Sequence, residues 1–284
     1  MTTPNPIQLP LRVLFSRLNI LNGLLTVLDV RLTEIRKVIE KRVQAKTGEM
    51  PAILAGCSLP VLDLTSPETK WYPSGGFYAA DEGYVVAIDD LLYMYSAVVV
   101  SQGYEAFETF LFEIAAAYLH TKPGKADTEV KRKFELKGKN GGAKTSDLAY
   151  WQQYVRCYRG DNNDKIFSLL RVLAPGICQC ENSNPHGVDL VAWYDMVSEV
   201  RHAATHKDFL VKRASISDWS KEKMEGFSGV FSIGPEIAGE GYKLRIKVKQ
   251  AEKALSMYGS YAFVIFKFLS IQDGYSWDLF NEQI

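Results

Sequence analysis

The sequence is short of the residues that most often form metal sites or disulfide frameworks. It has only four cysteines and four histidines in 284 residues. Four cysteines are too few to cross-link a chain of this length, and the pair Cys178 and Cys180 has the spacing of neither a zinc site nor a redox motif. We therefore expect a reducing, cytoplasmic environment.

Net charge is also absent. The chain carries 33 basic and 33 acidic residues, so its formal net charge is zero. No overall field then draws the protein to nucleic acid, and any such attraction has to come from a local patch. The hydrophobic share of 47% excludes a disordered chain and is that of an ordinary globular protein.

Long apolar runs are missing as well. The two strongest, residues 114–119 and 261–266, stop at His120 and Lys267. Both are far shorter than the roughly 20 residues that a membrane helix needs. The sequence also opens without the apolar stretch and cleavage site of a leader. We therefore predict neither a leader nor a membrane span.

Helical periodicity is what the sequence has in quantity. Apolar residues recur in steps of three and four from Leu11 to Ile39 and predict one long helix within residues 1–48. A coiled-coil dimerisation arm is one interpretation of this helix. We expect it to pack on the protein's own core instead, because Val13, Leu24 and Val27 widen its apolar face beyond a two-stranded seam.

The rest of the chain divides into three parts. Residues 49–84 are rich in proline and glycine and are typical of a connector, with short strands near Ile53 and Val61. Residues 85–272 form a helical domain, and residues 273–284 are a C-terminal tail. Within the domain we predict helices over 91–120 with a break at Gly103, over 148–159, 166–173, 188–209 and 251–271, and a β-hairpin over 228–249. The expected fold class is mainly α, a helical bundle with a small β-hairpin insertion.

One local patch of charge stands out between residues 122 and 144. It has eight basic and three acidic residues, and its glycines make it typical of a flexible loop. Contact with phosphates would release counterions, so Lys131, Arg132 and Lys133 are candidates for binding a nucleic-acid substrate. A solvated loop without such a role is the alternative.

The residues best suited to chemistry lie between Glu199 and His206. His202 and His206 are one helical turn apart, and Glu199 lies one turn earlier, as in half of a di-iron motif. The second half is missing, because no other histidine has a glutamate three residues before it. A mononuclear zinc site would need a further ligand from elsewhere. A purely structural role, with Arg201 paired to a carboxylate, is the other alternative.

Arg201, His202 and His206 also resemble the signature of the HEPN superfamily. That signature is an arginine, a polar residue, and then a histidine four to six positions after the arginine. The segment from Tyr104 to Leu111 is similar to the early HEPN helix that packs against the motif. The resemblance covers residues 85–272 and implies an HEPN-like helical domain.

The resemblance also implies a function. Many HEPN proteins are metal-independent endoribonucleases of toxin–antitoxin, phage-defence or RNA-processing systems, and they dimerise so that two motifs face each other across a cleft. RNA would be the substrate, a second copy and an antitoxin or other protein the partners, and no cofactor or metal is expected. Some family toxins have a tyrosine two residues after the histidine, but Asp208 takes that place here, so inactivation by nucleotidylation is not supported. The alternative is a non-catalytic helical module that binds RNA or a partner protein.

The chemistry of the motif agrees with this implication. His206 is suited to moving a proton, Arg201 to holding a phosphate, and His202 to orienting the proton transfer or sharing it. Five residues at 100° each separate Arg201 and His206 by about 140° on an ideal helix. One helix therefore does not aim both side chains at one point, and a second copy is expected to do so.

Overall fold

A computed structural model describes residues 5–45, 60–62, 71–73, 81–138, 142–159, 164–212, 221–237 and 239–279. The protein is mainly α, with 76% of its residues in helices and 5% in strands. The predicted fold class is therefore confirmed at this level.

The elements follow one another in the chain as nine helices and five short strands within the described residues. They are α1 (Gln8–Ala45), β1 (Pro60–Leu62), β2 (Trp71–Pro73), α2 (Asp81–Thr121), α3 (Thr128–Leu136), α4 (Leu148–Arg159), α5 (Asp164–Leu173), α6 (Gly176–Asn182), α7 (Leu190–His206), β3 (Leu210–Lys212), α8 (Lys221–Val230), β4 (Ile233–Ile237), β5 (Gly241–Leu244) and α9 (Val248–Gln272).

Helix α2 is the centre of the bundle. It packs against α1, α4, α5, α7 and α9. The break predicted at Gly103 does not occur, and the helix begins ten residues earlier than Leu91. Gly103 serves packing instead, since a Cβ there would lie 2.8 Å from the ring of Tyr258 and 2.9 Å from Leu255 on α9. The glycine lets the two helices approach closely.

Helix α1 lies on the core, as the sequence predicts, but Val13, Leu24 and Val27, from which this was predicted, are exposed and take no part in that packing. Leu11, Leu14, Leu18 and Leu25 are buried against α2 and α9. A second apolar stripe, hereafter the outer stripe, remains exposed on the other side of the helix. It consists of Leu9, Val13, Ile20, Leu24 and Val27, which are 44–69% exposed.

The β-hairpin is shorter than predicted, but an unpredicted strand, β3, extends it to a three-stranded sheet. Strands β3, β5 and β4 form one antiparallel sheet in that order, with Val211 opposite Tyr242 and Ile233 opposite Leu244. The predicted second strand of the hairpin ends at Leu244 rather than Lys249, because α9 already begins at Val248. Strands β1 and β2 pair within the connector, and the strand predicted near Ile53 lies outside the described residues.

Other helices also differ from the prediction. Residues 128–136 of the predicted basic loop form α3, which Asp127 caps by accepting a hydrogen bond from the Val130 amide at 2.8 Å. Helices α6 and α8 were not predicted at all. Helix α7 ends at His206 rather than at residue 209, because Asp208 and Phe209 adopt left-handed conformations with φ of 49° and 62°.

Within the part of the chain that the structure describes, three helices are long and apolar enough to cross a membrane, by length and composition alone. They are Gln8–Lys41, Val85–Thr121 and Val248–Gln272. Each contains an apolar stretch of 18 residues with at most two charged side chains. The expected absence of a membrane span therefore stays a prediction.

Candidate functional site

The HEPN-like motif lies on the last two turns of α7. Asp189 caps the beginning of this helix by accepting a hydrogen bond from the Ala192 amide at 2.8 Å. Buried residues such as Trp193, Val197 and Val200 fix one face of the helix in the core. The opposite face and its edge carry Arg201, His202 and His206 at the surface.

Arg201 is held against α2. Its Nε donates a hydrogen bond to Oε1 of Glu105 at 2.8 Å, and its side chain remains 33% exposed. Its guanidinium carbon lies 6.0 Å from the centre of the Tyr104 ring. Partial burial opposes the charge of Arg201, but the hydrogen bond and negative charge of Glu105 outweigh it and raise the pKa of the guanidinium.

The terminal nitrogens of Arg201 make no hydrogen bond to any described residue. Glu105 therefore anchors one edge of the guanidinium, and the side chain stays partly exposed. An arginine that is fixed at Nε presents its two terminal nitrogens as a fork, which is the geometry that binds a phosphate.

A chain of polar side chains lies beneath this pair. The Tyr194 hydroxyl donates to the Tyr104 hydroxyl at 2.8 Å, and the two rings stack with centroids 5.2 Å apart. Burial raises the pKa of the Tyr104 hydroxyl, and the side chains of Ser198 and Tyr194 oppose this shift. Tyr194, Ser198 and Arg201 recur at steps of four and three, so the face of α7 that meets α2 carries all three.

Glu108 is the second carboxylate at the contact between α2 and α7. Burial raises its pKa, the negative charge of Glu105 raises it further, and the nearby Arg159 and Arg201 oppose both effects. Nε of Arg159 is buried and makes no hydrogen bond to a described residue. Two carboxylates and two guanidiniums therefore lie together at this end of α4 and α7.

His202 and His206 are exposed neighbours, with ring centroids 5.4 Å apart. Partial desolvation is the largest cause that lowers the pKa of His202, and the positive charge of Lys207 is the next. Since the ordinary pKa of histidine is about 6.5, the His202 ring is mainly neutral at pH 7 and can accept a proton.

The structure brings the two histidines together but places Arg201 on another side of the helix. Helix α7 remains regular up to His206, so the angle of about 140° between Arg201 and His206 applies. Within one protomer, Arg201 faces α2 and the histidines face solvent.

The predicted substrate-binding residues lie on α3, away from the motif. The Lys131 ammonium lies 5.6 Å from the centre of the Trp151 ring, Lys133 is paired with Glu129 at 2.6 Å, and Arg132 is exposed. Helix α3 packs on the first half of α4. The His120 ring makes a hydrogen bond with the Ser146 carbonyl, so the beginning of α4 lies next to the end of α2. Along α2, Glu105 is about 22 Å from His120, and this distance separates α3 from Arg201.

Glu105, Tyr104, Tyr194 and Arg159 were not predicted as site residues. The spacing of Tyr194, Ser198 and Arg201 is a signal that a helical projection of the sequence contains, whereas nothing in the sequence selects Glu105 from the neighbouring Glu108 and Glu113. Among the described residues, no group of three or more His, Cys, Asp or Glu side chains is arranged to hold a metal ion.

No protein-family model matches this chain, and no curated protein or solved structure matches it. The likeness to the HEPN superfamily therefore depends on Arg201, His202, His206 and the helical setting alone.

Proposed function

We propose that this protein is a metal-independent endoribonuclease of the HEPN type that works as a homodimer in the cytoplasm. Arg201 binds the scissile phosphate, and His206 and His202 move protons. The observation that carries the proposal is the state of Arg201. Its Nε is anchored to Glu105 at 2.8 Å, while its terminal nitrogens make no hydrogen bond to a described residue, and two exposed histidines lie on another side of the same helix.

The chemistry is a transfer within the RNA strand. A neutral histidine takes the proton of a ribose 2′-hydroxyl, the 2′-oxygen attacks the adjacent phosphorus, and the bond from phosphorus to the 5′-oxygen breaks. A protonated histidine gives its proton to the leaving 5′-oxygen, and a 2′,3′-cyclic phosphate results. Arg201 stabilises the charge that develops on the non-bridging oxygens. All atoms and protons balance without a co-reactant.

Glu105 has a positioning role in this proposal. Its carboxylate is 43% exposed, so it keeps Arg201 in one orientation without neutralising the free edge of the guanidinium. The open edge then meets the phosphate, and the hydrogen bond at Nε prevents the long side chain from losing that orientation in solvent.

A second copy completes the site. Arg201 and His206 point about 140° apart on one helix, and both lie at the surface. A two-fold axis that brings two α7 ends together sets the arginine of one copy opposite the histidines of the other.

The test is cleavage of single-stranded RNA by purified protein in EDTA. We expect wild type to cut, and Arg201→Ala and His206→Ala to lose at least about a hundredfold in rate. His186→Ala is the matched control, because His186 is an exposed histidine on a turn outside the motif. Equal cleavage by all four proteins would indicate a contaminating nuclease and overturn the proposal.

The outer stripe of α1 favours a second candidate function, a non-catalytic module that binds RNA or a partner protein. A row of exposed apolar residues about 27 Å long is typical of an interaction surface. Binding of RNA without any cleavage by wild type, with binding equally retained in His206→Ala, would favour this function over the nuclease.

A further inference from the structure

A cavity of about 620 Å³ opens between α9 and the connection from α6 to α7. Its walls are mostly apolar and include Val188, Leu190, Met257, Phe263, Val264 and Phe268. A cavity of this size and composition is in the range of small-molecule sites. It lies at the beginning of α7, about 16 Å along the helix from Arg201, and has no part in the proposed cleavage.

Hydrogen bonds and close packing hold the wall of this cavity in place. Asn184 holds the connection in place, because its Nδ2 donates to the carbonyls of Cys180 and Val188 and its Oδ1 accepts from the amides of His186 and Val188. On the other side, Phe268 lies where a Cβ on Gly176 would be 2.4 Å from its ring. A glycine at 176 is therefore required for Phe268 to form its part of the wall.

One cation at the wall has no acidic partner among the described residues. Lys267 lines the cavity, and its ammonium lies 4.1 Å from the centre of the Trp277 ring. No carboxylate of the described residues lies within 4.0 Å of it. The nearest buried carboxylate, Glu181, is already bound by Arg171 and Tyr261. The aromatic ring holds the ammonium in position but leaves its charge uncompensated.

We propose that this cavity binds a small amphipathic anion, with an apolar body along Val264, Met257 and Phe263 and a single carboxylate on Lys267. The charge of Lys267 selects the headgroup. A carboxylate can form a charge-assisted hydrogen bond with this ammonium without having to displace a carboxylate of the described residues. The apolar walls exclude a strongly hydrated ligand such as a nucleotide. This site is independent of the Arg201 motif.

The experiment uses the full chain and three probes with one tail, which are decanoate, decanol and decylamine. Titration calorimetry should show binding of decanoate at least about tenfold tighter than decanol, and no binding of decylamine. Shortening the tail should weaken binding by up to about fourfold for each methylene removed. Equal affinity for decanoate and decanol, or no binding of either, would overturn the proposal.

Variants locate the ligand. Lys267→Met keeps the aliphatic stem and should bind decanoate about tenfold more weakly with decanol unchanged. Lys253→Met is the matched control, since Lys253 is an exposed lysine of the same helix outside the cavity. Val264→Trp fills the cavity and should abolish both. Wild-type affinity for decanoate in Lys267→Met, or in Val264→Trp, would exclude this site.

The rate of cysteine alkylation is a second test of where the ligand binds, and it needs no variant. Cys180 lines the cavity, whereas the exposed Cys178 does not. Decanoate should slow the reaction of iodoacetamide with Cys180 and leave Cys178 unchanged. Burial raises the pKa of the Cys180 thiol, so the labelling is done at pH 9. Equal rates at Cys180 with and without bound decanoate would place the ligand elsewhere.

Discussion

Glu181 is a fully buried carboxyl group that two side chains hold in place. Arg171 donates to its Oε2 from Nε at 2.7 Å, and the Tyr261 hydroxyl donates to its Oε1. Removing the cation leaves an uncompensated buried charge, whereas removing the hydroxyl only deletes one hydrogen bond. The two losses should therefore differ in size.

We expect Arg171→Met to lower the free energy of unfolding by about 3 to 5 kcal/mol and Tyr261→Phe to lower it by about 2 kcal/mol. Urea unfolding of both variants beside wild type measures the difference. A cost for Arg171→Met no larger than that for Tyr261→Phe would mean that the ion pair between Arg171 and Glu181 contributes little to stability.

His202 offers a prediction in pH. Partial desolvation first, and then Lys207, lower its pKa below the ordinary value of about 6.5. The unfolded chain therefore takes up its proton at a higher pH than the folded chain, so His202 reduces stability as the pH falls through 6.5 and has no effect well above it.

Proton NMR of the histidine rings measures this shift directly. The His202 resonance should titrate with a midpoint below 6.5, and Lys207→Gln should move that midpoint upward because one opposing positive charge is gone. A His202 midpoint that stays in place in Lys207→Gln would contradict the contribution of Lys207.

At the scale of elements, two helical glycines should respond to alanine in opposite directions. Gly103→Ala places a Cβ 2.8 Å from the Tyr258 ring, so we expect α2 and α9 to separate at a cost of about 1 to 3 kcal/mol. Gly23 on α1 has no atom within 4 Å of that position. Gly23→Ala should therefore stabilise the protein by about 1 kcal/mol through helix propensity.

Thermal unfolding of the two alanine variants checks the pair. A gain in stability for Gly103→Ala would mean that α2 and α9 lie farther apart than in the structure. Helix propensity alone would then determine the effect of alanine at both positions.

The elements also show what a sequence can predict. Helix α4 has its predicted bounds, Leu148 to Arg159, because aromatic residues recur on one face between turn-forming segments. The end of α7 was predicted wrongly, because the left-handed conformation of Phe209 contradicts the preference of an aromatic residue and arises from tertiary packing. The break expected at Gly103 was also wrong because of tertiary packing. Only the contact with α9 shows why a glycine is needed there.

The candidate site was predictable in part. Arg201, His202 and His206 follow from spacing, and pairing of Arg201 with a carboxylate was one of the alternatives that the sequence left open. The choice of Glu105 depends on how α2 and α7 cross, and the buried Nε of Arg159 depends on where α4 ends. Neither fact is contained in local sequence.

At the scale of the whole molecule, the proposed dimer predicts complementation. Arg201→Ala and His206→Ala subunits that are mixed and reassorted should recover cleavage, because each mixed dimer keeps one arginine opposite one histidine. Random reassortment makes about half of the dimers mixed with one of two sites intact, so about a quarter of wild-type activity is expected.

The measurement is the RNA cleavage rate after the two inactive proteins are mixed, compared with each alone. Sedimentation of the mixture shows the dimer independently. A mixture of dimers that is as inactive as its components would show that arginine and histidine do not act across the two-fold axis.

The placement of α1 has a consequence for how the chain is made. The Asn5 amide donates to Ser270 Oγ and to the Ser276 carbonyl, both at 2.8 Å, and Phe15 and Leu18 lie against Gly259 of α9. Helix α1 is therefore covered in part by α9, which is synthesised later. Until α9 is synthesised, α1 presents apolar residues on its inner face as well as on its outer stripe, so the growing chain offers chaperones a binding helix during that interval.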